Sequence, residues 1–234
     1  MDQDKKNFKE QFYLILTGIF IASLVASNLI FQKFFTWNFL GIDFELSVGI
    51  IAYPVTFLVT DLISELYGQK RANQVVVSGF FASVFTTLLV LISANSNAVE
   101  WSPIDNTTFT KVFGLTGPAF FASMVAYLTA QLIDVRIFHF WKRLTKGKHL
   151  WLRNNASTMF SQLVDTSVIL IILCSAGVIE WERFYSLWMM GWLFKVLVAL
   201  IDTPIIYGVI HLLKGKIEIA KHYEKGFHCL KMKK

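Results

Sequence analysis

The sequence predicts an all-α, polytopic membrane protein: one domain over residues 1–234, six transmembrane helices, both termini on the cytoplasmic side. Three observations carry that expectation. Charged residues make up only 16% of the 234 positions, against about 25% in soluble domains. Mean hydropathy is +0.53. The chain also divides into six long apolar stretches joined by short loops, and a membrane-crossing helix needs about 20 mainly apolar residues.

The spans are expected, in order, at about 12–31, 46–67, 73–94, 112–138, 154–179 and 184–213, with a basic tail over 214–234. The first holds no charge. Its basic flank (Lys5, Lys6, Lys9) suits a signal peptide, but the apolar run is too long and lacks a small-residue cleavage site, so it reads as an uncleaved span. The second is clean until Asp61 and Glu65, and Pro54 is expected to kink it and free a carbonyl. The third is uncharged, and the fourth meets its first charge at Asp134. The fifth holds one acid, Asp165, while the sixth holds Lys195 and Asp202. Ala130–Asp134 (AQLID) and Ser161–Asp165 (SQLVD) echo each other on successive helices, too briefly to establish a repeat.

Orientation follows from the cations. With six spans, 18 of the 22 Lys and Arg residues fall on the side of the N-terminus, the 68–72 and 136–153 loops and the tail, which makes that side cytoplasmic. Only Lys33, Lys111 and Arg183 fall opposite. The same placement explains the net charge of +6 through anionic headgroups, so nucleic-acid binding is not expected. The expected location is the cytoplasmic (inner) membrane, with the lipid bilayer as a partner. A homo-oligomer stays open.

Ionisable groups inside a bilayer cost about 2.5–3.5 kcal/mol each on insertion scales, which makes each a functional candidate. Asp61 and Glu65, four apart on one helix face, are expected either to answer Lys70 and Arg71 at the interface or to form a polar wall of a central cavity. Asp134 is expected to leave the membrane beside Arg136 in a boundary salt bridge, with Gln131 one turn deeper. Asp165 lies about 16 Å into the fifth span at 1.5 Å per residue, near the midplane. Arg153, Ser157, Ser161 and Asp165 are spaced by four, with Asn154, Thr158 and Gln162 in the adjacent row. Such a polar stripe cannot face lipid. Lys195 is a candidate partner for Asp165, and Asp202 lies seven residues on, on the same face. Asn28 reads as a helix–helix hydrogen bond or a cavity group.

Enzyme signatures are missing: there is no H-E-x-x-H, G-x-S-x-G or P-loop. The five histidines fall at helix ends or in cytoplasmic segments, and Cys174 and Cys229 have no metal or disulfide spacing. No catalytic residue, metal or cofactor is therefore expected.

Six short-looped spans, with TDLISELYG closing the second, QLID closing the fourth and RNNASTMFSQLVDT entering the fifth, resemble the queuosine precursor transporters within the vitamin uptake transporter group. The resemblance covers about residues 12–213. It implies import of a 7-deazaguanine (7-cyano-7-deazaguanine, its 7-aminomethyl analogue or queuine) for tRNA modification. It also implies a module similar to the substrate-binding subunits of vitamin importers, whose alternative role would need a separate ATPase. It carries over to Asp61, Glu65, Gln131, Asp134, Arg153, Ser157, Gln162 and Asp165 as substrate-binding candidates. A carboxylate (Asp165 or Asp202) can accept both N–H groups of a guanine-like edge. An amide (Gln162 or Asn28) can donate to its carbonyl, and aromatic rings can sandwich the flat base.

Overall fold

The structure is a computed structural model that describes residues 3–39, 41–113, 117–177 and 179–213. Helix α1 (Gln3–Ile30) leads into a hairpin of β1 (Phe34–Phe39) and β2 (Ile42–Ser47), then a 3-10 turn over Val48–Ile51. Helices α2 (Tyr53–Leu66), α3 (Gln69–Ala94), α4 (Asn106–Phe113), α5 (Gly117–Leu144), α6 (Leu150–Ser175) and α7 (Trp181–Leu213) follow.

Local sequence explains these elements. On α1 the buried residues Tyr13, Leu16, Phe20, Leu24 and Ser27 recur every three or four positions and define one inward face. Across that face, Gly79 lets α3 come close: a Cβ there would lie 2.6 Å from the Phe20 ring and 2.8 Å from the Tyr127 hydroxyl. Tyr127 in turn donates to the Val76 carbonyl at 2.6 Å, which fastens α5 to α3. Side chains such as Phe81, Phe85, Leu88 and Ile92 point outward from α3 and are exposed. Helix α6 does the reverse, burying Arg153, Asn154, Ser157, Thr158, Ser161, Gln162, Asp165 and Thr166 while Phe160 and Ile171 are exposed. A polar interior beneath an apolar exterior is the distribution a bilayer demands.

Among the described residues, five helices are long and apolar enough to cross a membrane: Lys6–Ile30, Val48–Leu66, Gln69–Ala94, Leu150–Ser175 and Trp181–Leu213. Helix α5 has 28 residues and is not among the five; it carries Asp134, Arg136, Lys142 and Arg143 in its second half. Three expectations need correcting. The 34–47 segment is a two-stranded antiparallel sheet with Phe39 opposite Ile42, so the chain is not wholly α-helical. Gly41 takes a φ of +80°, which a two-residue hairpin loop requires. The fifth helix begins at Leu150, not near 154, so Arg153 sits in its first turn. Pro54 occupies the first turn of α2, where a missing N–H breaks no helical bond; it starts the helix instead of kinking it. The basic tail over 214–234 lies outside the described residues.

Candidate functional site

A cavity of about 230 Å³ occupies the half of the bundle that carries the hairpin. Its wall includes Ser27, Asn28 and Phe31 from the end of α1, Phe34, Glu45 and Ser47 from the hairpin, and Gly49 and Ile50 from the 3-10 turn. Tyr53 at the start of α2, Ser123 on α5, Asp165, Thr166 and Leu170 on α6, and Gly191 and Lys195 on α7 complete most of it. The 3-10 turn can form this wall because Gly49 has no side chain: a Cβ would lie 2.9 Å from the Ser27 carbonyl oxygen. Ser27 locks the contact by donating to the Gly49 carbonyl at 2.8 Å.

One polar knot marks the cavity floor. Lys195 Nζ lies 2.6 Å from Asp165 Oδ2, donates to Thr166 Oγ1 at 3.1 Å, and stands over the Tyr53 ring at 5.5 Å. Tyr53 donates its hydroxyl to Asp165 Oδ1 at 2.9 Å. Both carboxylate oxygens are thus engaged, yet each keeps a second lone pair. Elsewhere in the wall Ser123 donates to Asn28 Oδ1 at 2.9 Å, which leaves the buried Asn28 Nδ2 without a partner. Carboxylate, ammonium, amide donor and aromatic rings in one small cavity suit a flat molecule with hydrogen-bonding edges.

Away from these residues the remaining candidates form four separate groups. Gln162 and Asp202 join Tyr53, Phe57, Thr158 and Lys195 around a small void of about 10 Å³. Deeper, Asp61 and Asp134 bring their carboxyls within hydrogen-bonding reach of each other. Thr158 donates to Asp61 Oδ2 at 3.4 Å and Ser161 to Asp134 Oδ1 at 2.9 Å, while Ser157, beside Asp134, donates to the Asn154 carbonyl at 3.1 Å. Gln131 braces α5 against α2, donating to Thr56 at 3.0 Å and accepting from Thr60 at 3.2 Å. At the end nearest the Gly68 turn, Glu65 Oε2 lies 2.8 Å from Lys142 Nζ and 2.6 Å from Arg153 Nη2. Arg153 also donates to the Gly147 carbonyl at 2.9 Å, closing this end with a buried ion triad across α2, α5 and α6.

Asn28, Asp165 and Lys195 therefore line the cavity. Asp61, Glu65, Gln131, Asp134, Arg153 and Ser157 do not. The Asp165–Lys195 pair occurs as expected. Two expected pairings do not: Asp134 is wholly buried while Arg136 is exposed, and Arg71 lies 3.2 Å from Glu10 while Glu65 takes Lys142 and Arg153. Sequence reasoning missed Tyr53, Ser123, Thr166 and Glu45 in the cavity and Lys142 in the triad. Tyr53 carried a signal, since a hydroxyl one residue before Pro54 opens a span. Among the described residues no group of three or more His, Cys, Asp or Glu side chains is placed to hold a metal.

Residues 47–209 match the family model described as "Putative vitamin uptake transporter". Three curated proteins are similar along most of the chain. A "Queuosine precursor transporter" of Escherichia coli is 26% identical over 209 residues, covering 88% of each chain. A "Probable queuosine precursor transporter" of Bacillus subtilis is 28% identical over 167 residues, 69% of this chain and 70% of the relative. A third, of the same description, from Haemophilus influenzae is 28% identical over 172 residues, 72% and 69% of the two chains. No solved structure matches.

Proposed function

The chain belongs to the vitamin uptake transporter family, a family of multi-pass membrane proteins, and from that premise we propose that it imports a 7-deazaguanine precursor of queuosine. The names of the three relatives support the class of cargo. The observation that carries the reading is Asp165, a carboxylate held by Tyr53 and Lys195 in the wall of the cavity. Its spare lone pairs accept the two adjacent N–H groups of the guanine-like edge. Asn28, with an unspent amide N–H, donates to the base carbonyl. Phe31, Phe34 and Tyr53 supply rings for the flat faces. The volume falls just under the range of about 300–1,000 Å³ for drug-sized ligands, in keeping with a single bicyclic base.

In this reading α5 is the sixth span, shielded by its packing along α6, and both termini face the cytoplasm. The cavity then opens away from the cytoplasm of an inner-membrane protein, and the Glu65–Lys142–Arg153 triad shuts the cytoplasmic end. Transport alternates between this state and one in which the triad parts. The site residues that touch cargo are Asn28, Tyr53, Asp165 and Lys195. Gln162 and Asp202 meet it on its way inward.

Uptake of labelled 7-cyano-7-deazaguanine, its 7-aminomethyl analogue and queuine into liposomes holding the purified protein alone tests this. Uptake of any one of them supports the proposal and removes the need for a separate ATPase. If none is bound or taken up, the assignment is wrong. Binding without uptake would favour a substrate-binding subunit that depends on a partner.

A further inference from the structure

Asp61 and Asp134 stand apart from every other buried acid in the bundle. Asp165 faces Lys195, and Glu65 faces Lys142 and Arg153. Asp61 and Asp134, 2% and 0% exposed, face each other and three hydroxyls, those of Ser157, Thr158 and Ser161. The charged groups around the pair are Glu65 on α2 itself, Lys142 on α5, Arg153 on α6, and Asp202 on α7, which adds a further negative charge. Asp61 Oδ1 and Asp134 Oδ2 are each buried without a hydrogen-bond partner. The nearby cations Lys142 and Arg153 are both held by Glu65, so two carboxyl groups in contact disfavour ionising together, and one proton between them satisfies both orphaned oxygens.

The pair is also placed to receive a proton. The void under the cavity floor, lined by Gln162, Asp202 and Thr158, has room for about one water molecule. The Gln162 Oε1 atom, on a side chain 3% exposed, is unpartnered there. Tyr53 and Lys195 line both the cavity and the void, and Thr158 lines the void and bonds Asp61, so polar groups stand between the cavity and the pair.

We propose that Asp61 and Asp134 form a proton-carrying site that couples cargo movement to an inward flow of protons, an inference that rests on the transporter reading above. With the pair sharing one proton, α2 and α5 are drawn together. Asp61 and Glu65 are one helical turn apart on the same face, so this contact also seats Glu65 between Lys142 and Arg153. When the shared O–H breaks and the proton leaves to water at the Gly68 end, two adjacent carboxylates repel and α2 moves from α5. Glu65 then withdraws from its two cations and that end opens. A proton from the hairpin side, arriving through the void, restores the closed pair, so one proton moves inward per cycle.

The test uses the full-length protein in liposomes and labelled 7-cyano-7-deazaguanine, or whichever 7-deazaguanine it carries. An inside-alkaline pH gradient should raise steady-state accumulation at least tenfold over equilibrium, and a protonophore should abolish the gain. External cargo should also acidify the lumen, read by a trapped pH dye. D61N and D134N should each still exchange labelled for unlabelled cargo across the membrane at a fixed pH. Both should lose gradient-driven accumulation. Exchange by wild type with no response to the gradient and no proton influx overturns the proposal while leaving the transporter reading intact. Gradient-driven accumulation by either variant also overturns it. Absence of exchange, uptake and binding for every 7-deazaguanine in wild type defeats the transporter reading itself. The dye arm needs no variant, so misfolding of D61N or D134N does not remove the test.

Discussion

Asp165→Asn keeps the shape of the side chain and removes its charge. That charge now lies 2.6 Å from the Lys195 ammonium and 2.9 Å from the Tyr53 hydroxyl. At an effective dielectric of 20 the bare attraction at that separation is roughly 6 kcal/mol. Desolvation offsets much of it, and removing one partner of a buried pair costs about 3–5 kcal/mol in practice. Lys195 borders the cavity and its side chain is 12% exposed, so water takes over part of the solvation of the ammonium. The expected loss of folding stability is therefore nearer ~2 kcal/mol, somewhat below that range. Cargo binding suffers more. An amide offers one acceptor and turns its own N–H toward the donors of the base, forfeiting charge-assisted bonds worth about 1.5–3 kcal/mol each. Affinity should fall by about 2–4 kcal/mol, or roughly 30- to 1,000-fold. Purified protein in detergent, assayed for equilibrium binding of labelled cargo beside a thermal melt, separates the two effects. Binding within about threefold of wild type would refute the role given to Asp165. A variant that no longer inserts in the membrane would make the ion pair a fold-holding contact instead.

Glu65→Gln leaves Lys142 and Arg153 buried with no countercharge between them, which should cost about 3–5 kcal/mol and lower the melting temperature. An unchanged melt with lost cargo binding would move Glu65 into the binding set. Gly49→Ala drives a methyl to 2.9 Å from the Ser27 carbonyl and 3.0 Å from the Phe31 Cβ, an overpacking worth about 1–3 kcal/mol in thermal unfolding. An alanine variant as stable as the parent would contradict the close approach. Asn28→Ala removes an amide N–H that the protein itself does not use together with the acceptor of the Ser123 hydroxyl, so cargo affinity should drop about tenfold, or about one hydrogen bond, and the melt should register a loss of about 1 kcal/mol. Asp105 accepts from the Thr108 N–H at 2.7 Å at the start of α4, and the bonds from Thr108 hold its carboxyl below the usual value. A depressed native pKa stabilises the helix above the unfolded value and is lost as pH falls through the native one. Amide protection in α4 should therefore hold from neutral pH down to about 4 and fade below it.

Much of this bundle could be read from residue spacing, because helical periodicity converts sequence into faces. The stripe from Arg153 through Ser157 and Ser161 to Asp165 is buried as its spacing requires, and Lys195 meets Asp165 because both lie at similar depth. The Asp134–Arg136 expectation failed on the same geometry. Residues two apart on a helix point to nearly opposite sides, so Arg136 faces out when Asp134 faces in. Lys142, eight residues after Asp134 and on its face, was the cation to choose for the interior. Glu65 could not have been matched to Lys142 and Arg153 from spacing, since their contact depends on how three helices close. The hairpin was obscured by its position between two apolar runs and by the lack of an Asn-Gly signal before β2. Tyr53 and Ser123 reach the cavity through crossings of helices far apart in sequence, which periodicity does not encode.

Helix α7 has 33 residues, which makes it about 50 Å long at 1.5 Å per residue. The hydrocarbon layer it crosses is about 30 Å thick. The excess must be taken up by tilt or by turns that emerge at the surface, and the belt of Trp181, Tyr185, Trp188 and Trp192 at one end favours anchoring there. Lys195 lies 14 residues along this rod, so a lean of α7 would shift the ammonium sideways relative to Asp165 on α6. Acyl-chain length would thereby act on the Asp165–Lys195 pair: thinner bilayers increase the lean, and thicker ones stand the helix upright.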